Sequence, residues 1–270
     1  LALFNLEINL DPLPLGGACF SNMEKALINL MQKGYKLAKK QNEHILMTGI
    51  LPTLKYHHLH ADYMTPIERY QTLSDAISAI RGSKFEIYMQ GVDDLIMSLG
   101  SVLFEACNTS FQLHLQIKPD EFVDQHNWSQ MIAGPVLSAC VNSPLLFGNE
   151  LWAETRTALF KQSLDTRTSQ KFLRMKLPRV YFGRGWLKES PAELWKNDIM
   201  RFPLILTSDN LSDSKEALRK GEIPDLRGIR LHNGTTYTWN RMCYGFSKKK
   251  PHLRIECRYL PAGPSAIDEI

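Results

Sequence analysis

Apolar and polar residues alternate in three short segments that lie far apart along the chain. These segments are residues 4–10, 111–117 and 253–259, with the sequences FNLEINL, FQLHLQI and LRIECRY. Successive side chains of a β-strand point to opposite faces, so each segment predicts a strand with one apolar and one polar face. In one sheet, the three polar faces would form the floor of an active site. A solvated face of an antiparallel sheet gives the same alternation, so both interpretations stay open.

Helical periodicity and capping residues predict the elements between these segments. Helices are expected at residues 21–41, 67–81, 93–105, 127–142, 151–162, 190–201 and 213–220, and further strands at residues 45–50, 85–89, 179–182 and 237–244. Helices mixed with amphipathic strands predict an α+β fold, in which helices cover one face of an antiparallel sheet. No linker or repeat divides the chain, so a single domain is expected over residues 1–270.

The composition limits the classes of protein to which the chain is expected to belong. The 270 residues are 44% hydrophobic, which is enough for a sizeable core. The net charge is +4, and because the basic residues are dispersed they form no patch typical of nucleic-acid binding. The run Lys248-Lys249-Lys250 reads as a solvated hairpin loop. The five cysteines form no CxxC pair, and no apolar run approaches membrane-spanning length, so a reduced, soluble, cytoplasmic protein is expected. Both ends look cut, which predicts a piece of a longer polypeptide.

The candidate chemistry comes from the three polar strand faces. The chain lacks a P-loop and a GxSxG elbow, and the histidines at 57, 58 and 60 lack the spacing of a zinc site. Glu7 and Glu256 offer carboxylates that suit Mg²⁺, and Arg254 and Arg258 offer guanidiniums that suit phosphoryl oxygens or carboxylates. Together these groups suit phosphoryl transfer, in which positioning and charge neutralisation do most of the work.

The same segments resemble the glutamate–cysteine ligase and carboxylate–amine ligase family. The strand 253–260 resembles that family's Glu-x-Arg strand, and residues 5–12 resemble its metal-binding Glu strand. Similar matches in the family's order are Glu68-Arg69-Tyr70, residues 111–115, and Ser143-Pro144 followed by residues 152–156. The resemblance implies the catalytic fold of glutamine synthetase, with a curled antiparallel β-sheet and helices on its outer face. It also implies ATP and Mg²⁺ as cofactors.

The reaction that the resemblance implies forms an amide through an acyl phosphate, as in glutathione biosynthesis. The substrates would be glutamate or a similar acid, and an amine. Glu7 and Glu256 would bind metal, while Gln112, His114 and Arg254 would lie beside the nucleotide. Arg258, Arg241 and Arg156 would contact the phosphoryl group or a substrate carboxylate.

Several features leave alternatives open. The family's Gly-x-Glu-x-Glu strand does not precede Glu7, which favours either an upstream segment or a non-catalytic nucleotide or amino-acid sensor. A phosphoguanidino kinase on the related fold is a third reading. Structural roles are also open: Arg156 can pair with Glu154 or Glu150, and Glu256 can form a structural ion pair with Arg258. Arg254 can be a rim residue, and His114 can be a hydrogen-bonded sheet histidine.

Overall fold

Helices and short strands alternate along the part of the chain described by the computed structural model, which comprises residues 2–167, 177–208, 211–247 and 250–270. The helices are α1 (Cys19–Lys40), α2 (Glu68–Arg81), α3 (Phe122–Ala139), α4 (Thr155–Ser163), α5 (Ala192–Ile199), α6 (Ser214–Arg219), α7 (Arg227–Asn233) and α8 (Ala266–Glu269). The strands are β1 (Phe85–Gln90), β2 (Asp94–Leu99), β3 (Leu113–Ile117), β4 (Leu145–Leu146), β5 (Asn149–Glu150), β6 (Val180–Tyr181), β7 (Tyr237–Thr238), β8 (Asn240–Ser247) and β9 (Lys250–Cys257). Short 3₁₀ helices lie at Tyr56–Leu59, Ala61–Tyr63 and Val102–Cys107.

The central sheet joins strands from two distant parts of the chain. Its order is β3-β9-β8, and both pairings are antiparallel. Ile255 and Met242 on its apolar face are buried in one core with Phe122 and Ala133 of α3. The period-2 alternation therefore predicts the two faces of β3 and β9 correctly, since one face packs in this core and the other carries the polar side chains.

The other strands form small two-stranded sheets. β1 and β2 form an antiparallel hairpin, β4 and β5 form a second one, and β6 pairs with β7 in parallel. Among the described residues, no sheet closes into a barrel. The predicted mixture of helices and antiparallel sheets is confirmed in this coarse form.

A second core lies between the first hairpin and the chain around it. Ile87 and Met89 of β1 and Leu95 of β2 pack with Phe104 and with Leu159 of α4. Burial alternates strictly along β1, where every second residue is buried. This alternation confirms the predicted strand at residues 85–89.

The predicted strand at residues 4–10 is wrong. In the described structure this segment pairs with no strand, and the nearby bridge joins Ala2 to Met64. Asn5 points inward and donates to the carbonyl oxygen of Ala106 at 2.7 Å, whereas Leu6 is 59% exposed. Phe4, Ile8 and Leu10 pack partly against two core clusters, but no neighbouring strand pairs with this segment, so it forms no strand.

Two further local predictions are also wrong. Residues 45–49 form no strand, and only Ile50 makes an isolated bridge, to Asn108. The helix expected at residues 93–105 is β2 followed by a 3₁₀ helix, because residues 94–99 pair in register with β1. The predicted loop at Lys248 and Lys249 lies outside the described residues.

Most helices are predicted well, but the cap expected at Ser21 is not formed, because the N-cap of α1 is Ala18, which makes no side-chain cap hydrogen bond. α1 begins two residues before the expected Ser21, and α2, α5 and α6 lie where periodicity and capping residues place them. Asp213 caps α6 by accepting from the backbone N–H groups of Lys215 and Glu216. In the described part of the chain, no helix is both long enough and apolar enough to cross a membrane. All five cysteines are free thiols.

Candidate functional site

The open face of the central sheet carries one row of polar residues across all three strands. His114 of β3 and Arg241 of β8 each lie directly opposite Glu256 of β9. In the next row, Gln116 and Cys243 flank Arg254. Two of the three alternating segments therefore meet in one sheet, in a register that sets their polar residues side by side.

Glu256 is the buried centre of this face. It is 1% exposed, and its Oε2 accepts from Arg241 Nε at 2.7 Å and from Cys243 Sγ at 3.2 Å. A second guanidinium nitrogen of Arg241 lies 2.6 Å from the same oxygen. Burial by itself would raise the pKa of Glu256, but the charges of Arg241 and Arg258 outweigh it and hold the pKa below its ordinary value. Glu256 is thus an ionised carboxylate whose charge is already matched.

Arg254 and Arg258 supply the positive charge that remains. Within the described residues, neither guanidinium makes an ion pair with a carboxylate, and Arg254 Nε has no hydrogen-bond partner. Arg258 lies over the rings of Phe160 and Tyr237, at 5.5 and 5.9 Å from their centroids. Burial, and then the charge of Arg241, lowers the pKa of Arg258. Three guanidiniums near two buried acidic groups, those of Glu256 and Glu105, leave net positive charge at this face, which suits an anionic ligand.

His114 and Gln112 lie at the exposed β3 edge of the face. Both side chains are exposed, and Gln112 donates to Ser110 Oγ at 3.3 Å. Partial desolvation, together with three nearby arginines, lowers the pKa of His114, although the charge of Glu256 opposes the shift. A neutral imidazole at this edge can donate and accept one hydrogen bond each.

Arg156 takes a structural position beside the face. It lies at the start of α4, is 2% exposed, and donates to Glu154 Oε1 at 2.8 Å and to the carbonyl oxygen of Tyr259. Its guanidinium also lies 5.5 Å from the ring centre of Trp239. This is the pairing with Glu154 that the sequence left open, and its effect is to tie α4 to the end of β9.

Glu7 is not brought to the sheet. Its side chain is exposed in the N-terminal segment, where it accepts from Asn9 Nδ2 at 3.1 Å. Among the described residues, no three His, Cys, Asp or Glu side chains are grouped as a metal site. Mg²⁺ takes oxygen ligands, and Glu256 already accepts from Arg241, so the donor set of the described face does not fit that ion.

Sequence reasoning missed two neighbours of the arginines. Cys243 shares the open face because it lies two residues after Arg241 on β8, so a period-2 reading of that strand would have found it. Glu105 lies in a 3₁₀ helix that was predicted as regular helix. Burial raises the pKa of Glu105, and the charge of Arg258 opposes that rise. No local sequence pattern predicts that Glu105 lies near Arg258.

Comparison with known families settles the class of protein. The model of glutamate-cysteine ligase family 2 matches residues 3–173, more than half of the chain. The chain belongs to this family. Searches of curated proteins and of solved structures found no significant match.

Family membership indicates a ligase of the carboxylate–amine type that acts on small amino-acid substrates. The matched range contains β3 and α4 but ends before β8 and β9. The roles of Arg241, Arg254, Glu256 and Arg258 therefore depend on their geometry in the sheet and not on the match.

Proposed function

We propose that this ligase is ATP-dependent and forms an amide through an acyl phosphate, on a glutamine synthetase-like catalytic fold. A substrate carboxylate oxygen would attack the γ-phosphorus of ATP and release ADP. The amine of the second substrate would then attack the acyl carbon, lose a proton, and expel inorganic phosphate. Each step moves negative charge on oxygen, and fixed guanidiniums stabilise such charge.

The observation that carries this proposal is the excess of guanidiniums on the open sheet face. Arg254 and Arg258 make no ion pair within the described residues, and the buried acidic groups of Glu256 and Glu105 balance only part of the charge of the three guanidiniums, so positive charge remains for a phosphate or carboxylate ligand. The rings of Phe160 and Tyr237 fix the position of Arg258. A guanidinium that is already held in place loses little entropy when it binds an anion.

The remaining residues of the face take supporting roles in the proposal. Arg241 is held by Glu256 through two guanidinium nitrogens, which leaves its outer N–H groups for a phosphoryl oxygen. His114 and Gln112 would hydrogen-bond the nucleotide from the β3 edge. Arg156 would stabilise the site by holding α4 against the end of β9, and would not touch substrate.

Magnesium stays an expectation of the family resemblance. The described carboxylates do not form its ligand set, so no step of the proposal passes through a metal. Mg²⁺ is nevertheless supplied in the assay, because the test concerns the reaction and not its metal.

The proposal is tested with purified protein, ATP, MgCl₂, glutamate and a panel of amines. The assay measures ATP-dependent phosphate release and detects the amide by mass spectrometry. We expect Arg258→Ala to lower turnover by about 100-fold, the usual cost of losing one charge-stabilising donor. Arg219→Ala is the matched control, since this arginine is exposed on α6, away from the sheet.

Three outcomes would overturn the proposal in different ways. ATP binding that depends on Arg258 but yields no phosphate or amide with any pair would support the sensor alternative. Phosphorylation of arginine or creatine would support the guanidino kinase. Full amide formation by Arg258→Ala would show that the sheet face is not the active site.

A further inference from the structure

The helix α3 carries apolar side chains on two opposite faces, and only one of these faces is covered. Its inner face, with Phe122 and Ala133, packs in the core beneath the central sheet. Its outer face carries an exposed stripe at the spacing i, i+3, i+4 and i+7, which consists of Trp128, Met131, Ile132 and Pro135. Met131 is 51% exposed and Ile132 is 45% exposed. Apolar residues at this spacing normally face a core, so the outer stripe lacks the partner that its pattern predicts.

The outer face of α3 is also almost free of charge. Asp124 is the only Asp, Glu, Lys or Arg in the sequence of this helix. The exposed face of α1, by contrast, has the composition of a helix in water, with the five lysines Lys25, Lys33, Lys36, Lys39 and Lys40. Protein–protein interfaces are depleted in charged residues at their centre and enriched in Trp and Met. The composition of the outer α3 face is therefore that of an interface.

The loop before α5 enlarges this apolar surface. Asn127 of α3 donates to the carbonyl oxygen of Leu187 and accepts from its N–H, each at 2.9 Å, which holds the preceding Trp186 beside the helix. Aromatic side chains bury roughly 150–250 Å² each, so the indoles of Trp128 and Trp186, which are 59% and 62% exposed, offer roughly 250 Å². Together with the rest of the stripe, two copies of this surface would bury roughly 1,000 Å², the lower limit of a specific interface.

We propose that a second copy of this chain packs on the outer face of α3, with the two helices antiparallel and related by a two-fold axis near Met131 and Ile132. A two-fold contact needs a surface that is complementary to itself. The stripe is centred on Met131 and Ile132, so the axis brings these residues of both copies together and sets the large Trp128 of each copy against the smaller Pro135 of the other.

The arrangement also keeps like charges apart. The Asp124 carboxylates of the two copies would lie at opposite ends of the contact, about 22 Å apart along the helix axes at 1.5 Å per residue. Uncharged side chains fill the space between them. Because the buried area is small, the dimer should be weak and reversible, with a dissociation constant in the micromolar range.

The test is sedimentation velocity of the purified protein at concentrations from below to far above the micromolar range. We expect the wild type to shift from monomer to dimer. Trp128→Ala, which only removes an exposed side chain, should weaken the dimer at least tenfold. Ile132→Glu should weaken it at least 100-fold, because two carboxylates would meet at the axis. Ile132→Lys should do the same, and an equimolar mixture of the Glu and Lys variants should dimerise again, since opposite charges then meet.

Ile96→Glu is the matched control, because Ile96 is an equally apolar side chain, 76% exposed, on β2. This variant should dimerise like the wild type. Circular dichroism at low concentration shows whether each variant folds, and substitutions at these exposed positions should leave the thermal midpoint of the monomer unchanged.

Four outcomes would overturn the proposal. A wild type that stays monomeric at the highest concentration would exclude the dimer. A dimer that survives Ile132→Glu, or one that Ile96→Glu abolishes, would place the contact on another surface. Glu and Lys variants of Ile132 that stay monomeric when mixed would exclude a two-fold contact at this residue.

Discussion

The Arg241–Glu256 pair gives the sharpest test of how the open sheet face is built. Glu256 is the more buried partner, with 2% of its side chain exposed against 19% for Arg241. In Arg241→Met the carboxylate would keep only the Cys243 thiol as a hydrogen-bond donor. Removing one partner of a buried pair costs about 3–5 kcal/mol, because it leaves an uncompensated charge. We expect the lower end, about 3 kcal/mol, since Arg241 is partly exposed and Arg258 lies nearby.

The assay is urea or thermal unfolding followed by circular dichroism at pH 7. For a chain of this size, 3 kcal/mol corresponds to a fall of roughly 6–12 °C in the thermal midpoint. The double variant Arg241→Met with Glu256→Leu serves as the control. Replacing a buried pair by apolar groups is often neutral or stabilising, so the double variant should recover most of the loss.

The stability that the Arg241–Glu256 pair contributes should depend on pH. The folded-state pKa of Glu256 is held below its ordinary value, so the pair stabilises the fold above the unfolded pKa, near 4.5, and loses that contribution as pH falls through the folded pKa. The cost of Arg241→Met should therefore shrink in acid. A cost below about 1 kcal/mol at pH 7, or a double variant as unstable as the two single losses added together, would refute the reasoning.

Two further predictions concern packing and a second buried acid. Gly91→Ala should destabilise the fold by about 1–3 kcal/mol, because the new Cβ would lie 2.6 Å from the Leu151 backbone. Gly134→Ala in α3 should stabilise it by about 0.5–1 kcal/mol, because the new Cβ meets nothing within 4 Å and alanine favours a helix. Urea unfolding that ranks the two variants in the opposite order would contradict this reasoning. Burial raises the pKa of Asp198 to about 6, so the folded state binds the extra proton and stability should fall by roughly 2 kcal/mol as pH rises from 4 to 6. Unfolding across this range should show that slope in the wild type and not in Asp198→Asn; equal slopes would exclude Asp198 as its source.

Local patterns in the chain were enough to predict the elements that depend on local chemistry. α2 ends at Gly82, which adopts the left-handed conformation, and α6 starts at its Asp213 cap, because caps are bonded within a few residues of the helix end. Alternation along residues 111–117 and 253–259 predicted two polar faces, which lie on β3 and β9, since the side-chain period of a strand is fixed by the backbone.

Only the tertiary structure determined which distant segments pair with one another as strands. The same alternation at residues 4–10 forms no strand, because period says which side a residue would face and not whether a neighbouring strand is there to pair with it. β2 was mistaken for helix because its pairing with β1 outweighs a local apolar pattern. The domain extent and the roles of the site residues stay predictions.

For the candidate site, too, the sequence identified the residue types, and the tertiary structure decided their partners. Residue types alone identified the arginines, Glu256 and His114 as a set suited to phosphoryl chemistry, because charge and hydrogen-bonding capacity belong to the side chain. Which of them are free to bind a ligand depends on packing: Arg156 is held by Glu154 and Arg241 by Glu256, whereas Arg254 and Arg258 have no carboxylate partner in the described structure. A carboxylate within ion-pair distance sets that difference, since a guanidinium already paired inside the protein has less of its charge left for a ligand.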